Sequence, residues 1–137
     1  RSLLPIEAVR TAVHAALDHS DDPTLPTVLC HNDLLPANLI RSGGQLLALD
    51  WEYCAMGKPW FDLAVASGGQ MMNPDDCDRF LGYYLQREVG AEDRNQLQRH
   101  LAIYRYIELL WHLTEAPEDR AEAELRARLP LVEQALS

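Results

Sequence analysis

Between Thr27 and Asp50 the chain carries three short runs that are apolar and partly β-branched: Thr27 to His31, Leu39 to Arg41, and Gln45 to Asp50. Ser42-Gly43-Gly44 separates the last two as a turn, so the stretch is predicted to fold as small strands, with a hairpin between the second and third. Polar residues sit at the strand ends. His31-Asn32-Asp33 follows the first run, Asn38 precedes the second, and Asp50 ends the third. Both acidic anchors therefore fall at or just after a strand.

Helical patterning surrounds this stretch. Leu4 to His19 has a proline near its start and apolar residues Ile6, Val9, Val13, Ala16 and Leu17 at helical spacing, with Ser20-Asp21-Asp22-Pro23 ending it. Helices are predicted again over Phe61 to Ser67, Pro74 to Val89, roughly Asp93 to Glu115, and Pro117 to Leu136. Gly90 and the Ala116-Pro117 step separate them, and Pro130 is placed to kink the last. The expected class is α+β, mostly helical, with a small β-hairpin region carrying the polar loops.

Composition narrows the function classes. With 137 residues, 47% of them apolar, one core is expected and a single domain over residues 1–137. A net charge of −9 and a single lysine, Lys58, argue against a nucleic-acid face, which needs clustered Lys and Arg, and favour a cationic small molecule as guest. Cys30, Cys54 and Cys77 are odd in number and lack C-x-x-C pairing, which suggests neither a disulfide framework nor a zinc site. No segment has the apolar length of a membrane span or the pattern of a signal peptide, so the chain reads as cytoplasmic.

The polar loops carry a recognisable spacing. His31 to Asn38 reads H-x-D-x-x-x-x-N and is followed by Asp50 in Leu49-Asp50-Trp51-Glu52. Phosphoryl transfer from ATP needs one carboxylate to orient and deprotonate a hydroxyl, and an amide oxygen with a second carboxylate to hold Mg²⁺ against the phosphates. Asp33, Asn38 and Asp50 fit those three tasks.

Together with Gly57-Lys58-Pro59-Trp60-Phe61-Asp62-Leu63-Ala64, these segments resemble the choline kinase, thiamine kinase and aminoglycoside phosphotransferase superfamily, and within it the C-terminal lobe of a protein-kinase-like fold. The resemblance runs by motif from Thr27 to Ala66. It implies ATP as co-substrate, Asp33 as catalytic base, and Asn38 and Asp50 as magnesium ligands. It further implies that His31 braces the loop backbone and that Asp62 ties the following helix to that loop. Glu52 resembles choline and thiamine kinases, whereas aminoglycoside phosphotransferases typically have glycine or another small residue there. A carboxylate at that position can support a metal-bound water or attract a substrate cation. Choline kinases of bacteria are the expected nearest group.

A second constellation fits a cationic acceptor. Tyr104, Glu108 and Trp111 fall at i, i+4 and i+7 of a predicted helix, so two aromatics and a carboxylate share one face. Such a face can hold a quaternary ammonium, although aromatic periodicity ordinarily reports core packing. Trp51 is expected to pack in the core beneath the metal loop, Lys58 to be solvated, and Tyr53 and Trp60 either to face the acceptor or to cover the sheet.

A nucleotide-covering loop and a phosphate-pairing lysine are not found in the sequence. Because the first residue is Arg1 rather than methionine, an N-terminal nucleotide lobe is expected to be missing from this chain. The fragment alone is then expected to be inactive, with an exposed, partly apolar surface that invites a homodimer. The competing readings are a thiamine, amino-sugar or aminoglycoside kinase and, from another class, a truncated non-catalytic binding lobe.

Overall fold

The computed structural model describes residues 6–137. Two compact units emerge, Asp22–Leu97 and Arg1–Asp21 with Gln98–Ser137.

Asp22–Leu97 contains all the strands found among the described residues. β1 (Val28–Cys30) pairs antiparallel with β4 (Ala55–Gly57), with Leu29 opposite Met56 and Cys30 opposite Ala55. β2 (Leu39–Ser42) and β3 (Gln45–Ala48) form the expected hairpin, from Leu39 opposite Ala48 to Ser42 opposite Gln45. Gly43 and Gly44 both have positive φ (56° and 78°), as a tight two-residue hairpin turn requires. β4 was not expected. It is three residues long and lacks β-branching, and its strand conformation follows from pairing with β1 rather than from propensity.

The helices of this unit are α2 (Trp60–Gly69), α3 (Pro74–Leu85) and the start of α4 (Ala91–Glu115). Asn73 caps α3 by accepting the Asp76 amide at 2.9 Å, and Pro74 sits in its first turn, where its missing N–H costs nothing. α3 ends at Leu85 rather than at Val89, because Gln86 turns left-handed (φ 55°). Trp60, Leu63, Ala64, Val65, Ala66 and Leu81 are buried, so α2 is the central element of the core.

The other unit holds α1 (Ile6–Asp18), the remainder of α4, and α5 (Ala121–Leu136). The expected start of the first helix at Leu4 lies outside the described residues. Val9 and Val13 on α1 and Leu129 and Val132 on α5 are buried, four residues and three residues apart respectively, and α1 packs against α5. The helix expected from Pro117 begins as a 3-10 turn, Glu118–Arg120, before α5, and α5 runs on through Pro130.

Candidate active site

The hairpin places two of the named residues together. Asn38 immediately precedes β2, Leu49 immediately follows β3, and the Leu49 amide donates to the Asn38 carbonyl at 2.8 Å. That bond extends the ladder by one step at the open end of the hairpin. Asn38 and the residue after Leu49, Asp50, are thereby set on neighbouring strand ends.

The loop from His31 to Asn38 is held from three directions. On α2, the Asp62 carboxylate accepts the backbone N–H of His31 on one oxygen and that of Asn32 on the other, each at 2.7 Å. The His31 ring is buried, donates from Nε2 to the Leu49 carbonyl at 2.7 Å, and accepts the Asp33 amide on Nδ1 at 3.2 Å. With a carbonyl facing Nε2 and an N–H facing Nδ1, the proton belongs on Nε2. Within the loop, a 3-10 turn at Pro36–Asn38 lets the Asn38 side-chain nitrogen donate to both the Asp33 carbonyl (2.8 Å) and Asp33 Oδ2 (2.9 Å). One carboxylate oxygen of Asp33 is fixed in this way. Because Asn38 directs its nitrogen at Asp33, its oxygen is the atom with capacity for a cation.

Asp50 and Asn32 both adopt left-handed backbone, with φ of 60° and 64°. Asn and Asp tolerate that region better than other side-chain-bearing residues, and such strain collects at functional loops. The Asn32 amide donates to the Tyr53 carbonyl at 2.9 Å, joining the loop after Asp50 to the loop before Asp33.

Trp51 departs from the expected core position. It is 44% exposed, donates its indole N–H to the Ala48 carbonyl at 2.9 Å, and sets its ring 4.7 Å from that of His31. Glu52 and Tyr53 are exposed beside it.

Other side chains fix the framework in ways the sequence did not announce. Trp60 is fully buried, and its indole N–H donates to Asp22 Oδ2 at 2.8 Å, which settles it as core. The other Asp22 oxygen accepts the amide and the hydroxyl of Thr24 at 2.8 and 2.6 Å. Burial pushes the Asp22 carboxyl up, but these hydrogen bonds and the Lys58 ammonium outweigh it, and the net pKa lies below the usual 3.8. Lys58, expected to be solvated, is half-buried and donates to the Leu25 carbonyl. Gly69 at the end of α2 lies so close to the loop that a Cβ there would sit 3.0 Å from Pro36 Cδ and 3.1 Å from Leu35 Cδ2.

Tyr104, Glu108 and Trp111 lie on α4 in the other unit. Tyr104 is buried and its hydroxyl donates to Glu108 Oε1 at 3.2 Å. The Arg105 guanidinium stands 5.1 Å over the Tyr104 ring and binds Glu108 at 2.9 Å, while Arg128 of α5 approaches Glu108 at 3.9 Å. The cation over the ring and the counter-charge on the carboxylate are thus supplied by arginines of the chain itself. Trp111 is 59% exposed and meets the His112 ring edge-on at 4.8 Å.

Asn38 and Asp50 offer hard oxygen donors, the class Mg²⁺ takes, usually through one or two carboxylates together with phosphate oxygens and waters. Among the described residues no group of three or more His, Cys, Asp or Glu side chains is arranged as a protein-only metal cage. The donor set suits a metal shared with a bound phosphate. Among the same residues, no helix is long and apolar enough to cross a membrane.

Several known proteins are similar to this chain. LicA of Haemophilus influenzae is 30% identical over 98 residues, which cover 68% of this chain and 36% of that protein. A crystal structure of choline kinase LicA from Streptococcus pneumoniae superposes with a TM-score of 0.70 at 26% identity, covering 98% of this chain and 51% of that one. A LicA structure in complex with AMP gives 0.69 at 26% identity, with coverages of 94% and 47%. A choline/ethanolamine kinase family protein from Mesorhizobium loti gives 0.79 at 24% identity, over 100% of this chain and 49% of the other, which speaks to the fold. The chain spans about a third of the length of the curated relative and about half of the solved chains. The model of the phosphotransferase enzyme family matches residues 1–100, and the chain belongs to that family.

Proposed function

We propose that this chain is the catalytic-loop portion of a cytoplasmic, ATP-dependent kinase that phosphorylates the hydroxyl of a small cationic alcohol, with choline or ethanolamine the favoured acceptor. The observation that carries this reading is the Asn38 amide gripping Asp33 while the adjoining Leu49 amide bonds the Asn38 carbonyl. These bonds set Asp33 beside Asn38 and bring the chain at Asp50 to the neighbouring strand end, which supports a base, an amide oxygen and a second carboxylate acting together.

In the reaction, Asp33 accepts the proton of the acceptor hydroxyl as that oxygen attacks the γ-phosphorus of ATP. The bond from the γ-phosphorus to the β–γ bridging oxygen breaks, and ADP leaves. Asn38 keeps Asp33 aimed at the hydroxyl. The Asn38 oxygen and the Asp50 carboxylate would hold Mg²⁺, which when bound neutralises charge on the transferring phosphoryl group. His31 and Asp62 act on the loop backbone, not on the substrate.

The choice of acceptor draws on the solved relative described as a choline kinase and on Glu52, whose exposed carboxylate beside Asp50 can attract a cation. On α4, Trp111 presents an exposed aromatic face, whereas Tyr104 and Glu108 are engaged by Arg105. An N-terminal nucleotide lobe supplied by the rest of the protein would complete the site, and the lengths of the relatives are in keeping with that.

The test is ADP release by the complete gene product with MgATP and choline, ethanolamine, thiamine or an aminoglycoside. Turnover with choline or ethanolamine supports the proposal. Turnover with thiamine or an aminoglycoside alone keeps the chemistry and replaces the acceptor. Absence of turnover with all four favours a non-catalytic binding lobe.

A further inference from the structure

Three consecutive residues, His31, Asn32 and Asp33, perform different tasks. His31 holds the carbonyl of Leu49, one residue before Asp50, and Asn32 holds the carbonyl of Tyr53, three residues after it. The turn bearing Asp50 is therefore clamped on both sides by the two residues that precede the base. Asp62 in turn fixes the backbone N–H groups of those same two residues.

Asn32 is the member of this set whose side chain is not explained by backbone shape alone. Its φ of 64° would suit glycine at least as well. Its partner, a main-chain carbonyl, can only accept, so the amide nitrogen must face Tyr53 and the bond has a definite direction. Glycine would keep the backbone and lose the tether. Aspartate would keep the backbone tolerance and turn a carboxylate oxygen toward the Tyr53 carbonyl.

We propose that Asn32 is a positioning residue that sets where the Asp50 carboxylate stands relative to Asp33, through its hydrogen bond to Tyr53. The role in turnover rests on the kinase reading above; the tether itself does not. Outer partners of metal ligands characteristically change metal affinity or activity by about 10- to 100-fold when removed, without touching the reacting atoms.

The test uses the complete protein carrying Asn32→Gly or Asn32→Asp. In the absence of metal and nucleotide, amide hydrogen exchange is followed at Cys54, whose N–H donates to the Trp51 carbonyl within the tethered turn. With MgATP and acceptor, the Mg²⁺ concentration for half-maximal rate is measured, alongside the melting temperature. The expected result for Asn32→Gly is exchange at Cys54 faster by about tenfold, a Mg²⁺ requirement raised by about tenfold, and melting within a degree or two of the parent. Asn32→Asp should show the same direction and a larger effect. A glycine variant that matches the parent in exchange and Mg²⁺ requirement overturns the proposal and leaves Asn32 a backbone-shape residue. Faster exchange with an unchanged Mg²⁺ requirement overturns the positioning role and leaves only a tether. If the parent shows no turnover with any acceptor, the kinase reading falls, and the exchange comparison still decides the tether.

Discussion

The Asn38 side-chain nitrogen lies 2.8 Å from the Asp33 carbonyl and 2.9 Å from Asp33 Oδ2, so one amide fixes both the backbone and the carboxylate of the same residue. Replacing Asn38 with alanine frees the carboxylate to rotate. Turnover by the complete protein should fall by at least about a hundredfold, the low end of what a positioned base contributes. Asn38→Asp should do no better, since it sets a second negative charge against Asp33. Steady-state kinetics of the two variants measure this.

Asp62 receives two backbone N–H groups on one carboxylate, and hydrogen bonds to a charged group contribute about 1.5–3 kcal/mol each. Asp62→Ala should therefore lower stability by several kcal/mol, and Asp62→Asn, which retains one accepting oxygen, by roughly half as much. Denaturant unfolding of both variants gives the comparison. Equal loss in the two would mean that the single bond an asparagine retains contributes nothing without its pair.

Gly69→Ala introduces a Cβ 3.0 Å from Pro36 Cδ and 3.1 Å from Leu35 Cδ2, inside ordinary contact distance. Overpacking of this kind costs about 1–3 kcal/mol. Since the displaced residues lie between Asp33 and Asn38, turnover should fall together with the melting temperature. A melting change without a kinetic one would show that the loop absorbs the methyl.

Asp22 links stability to pH. Its folded pKa is depressed below 3.8, so the stabilisation it brings is fully present above that value and is lost as pH falls through the lower folded pKa. Asp93 behaves alike: the Arg87 guanidinium bonds it at 2.6 and 2.8 Å, and this outweighs its burial. Asp22→Asn should be less stable than the parent at neutral pH, and the gap should narrow as pH drops below 3.8. Melting curves across pH 2.5 to 7 measure the gap.

The parts of the candidate site that were legible from spacing are local ones, and the long-range tie of Asp62 to the loop came from the family resemblance. His31, Asp33 and Asn38 lie within eight residues, and the Gly43-Gly44 turn brings the chain at Leu49 back to Asn38, one residue before Asp50. The unread parts depend on contacts between distant residues. β4 exists because Cys30 pairs with Ala55, Trp60 is sealed by Asp22 thirty-eight residues earlier, and Lys58 reaches the Leu25 carbonyl. The aromatic face of α4 shows the same limit from the other side. Spacing placed Tyr104 and Glu108 together, but not the Arg105 and Arg128 that engage them.

The proposed phosphoryl transfer depends on Asp33 as its base. Its most direct test is the rate of ADP formation by the complete protein with MgATP and its preferred acceptor, compared with Asp33→Asn, alongside circular dichroism and melting of both. A loss of roughly 10²- to 10⁴-fold with the fold retained is expected. An Asp33→Asn variant that turns over within a few-fold of the parent would contradict it.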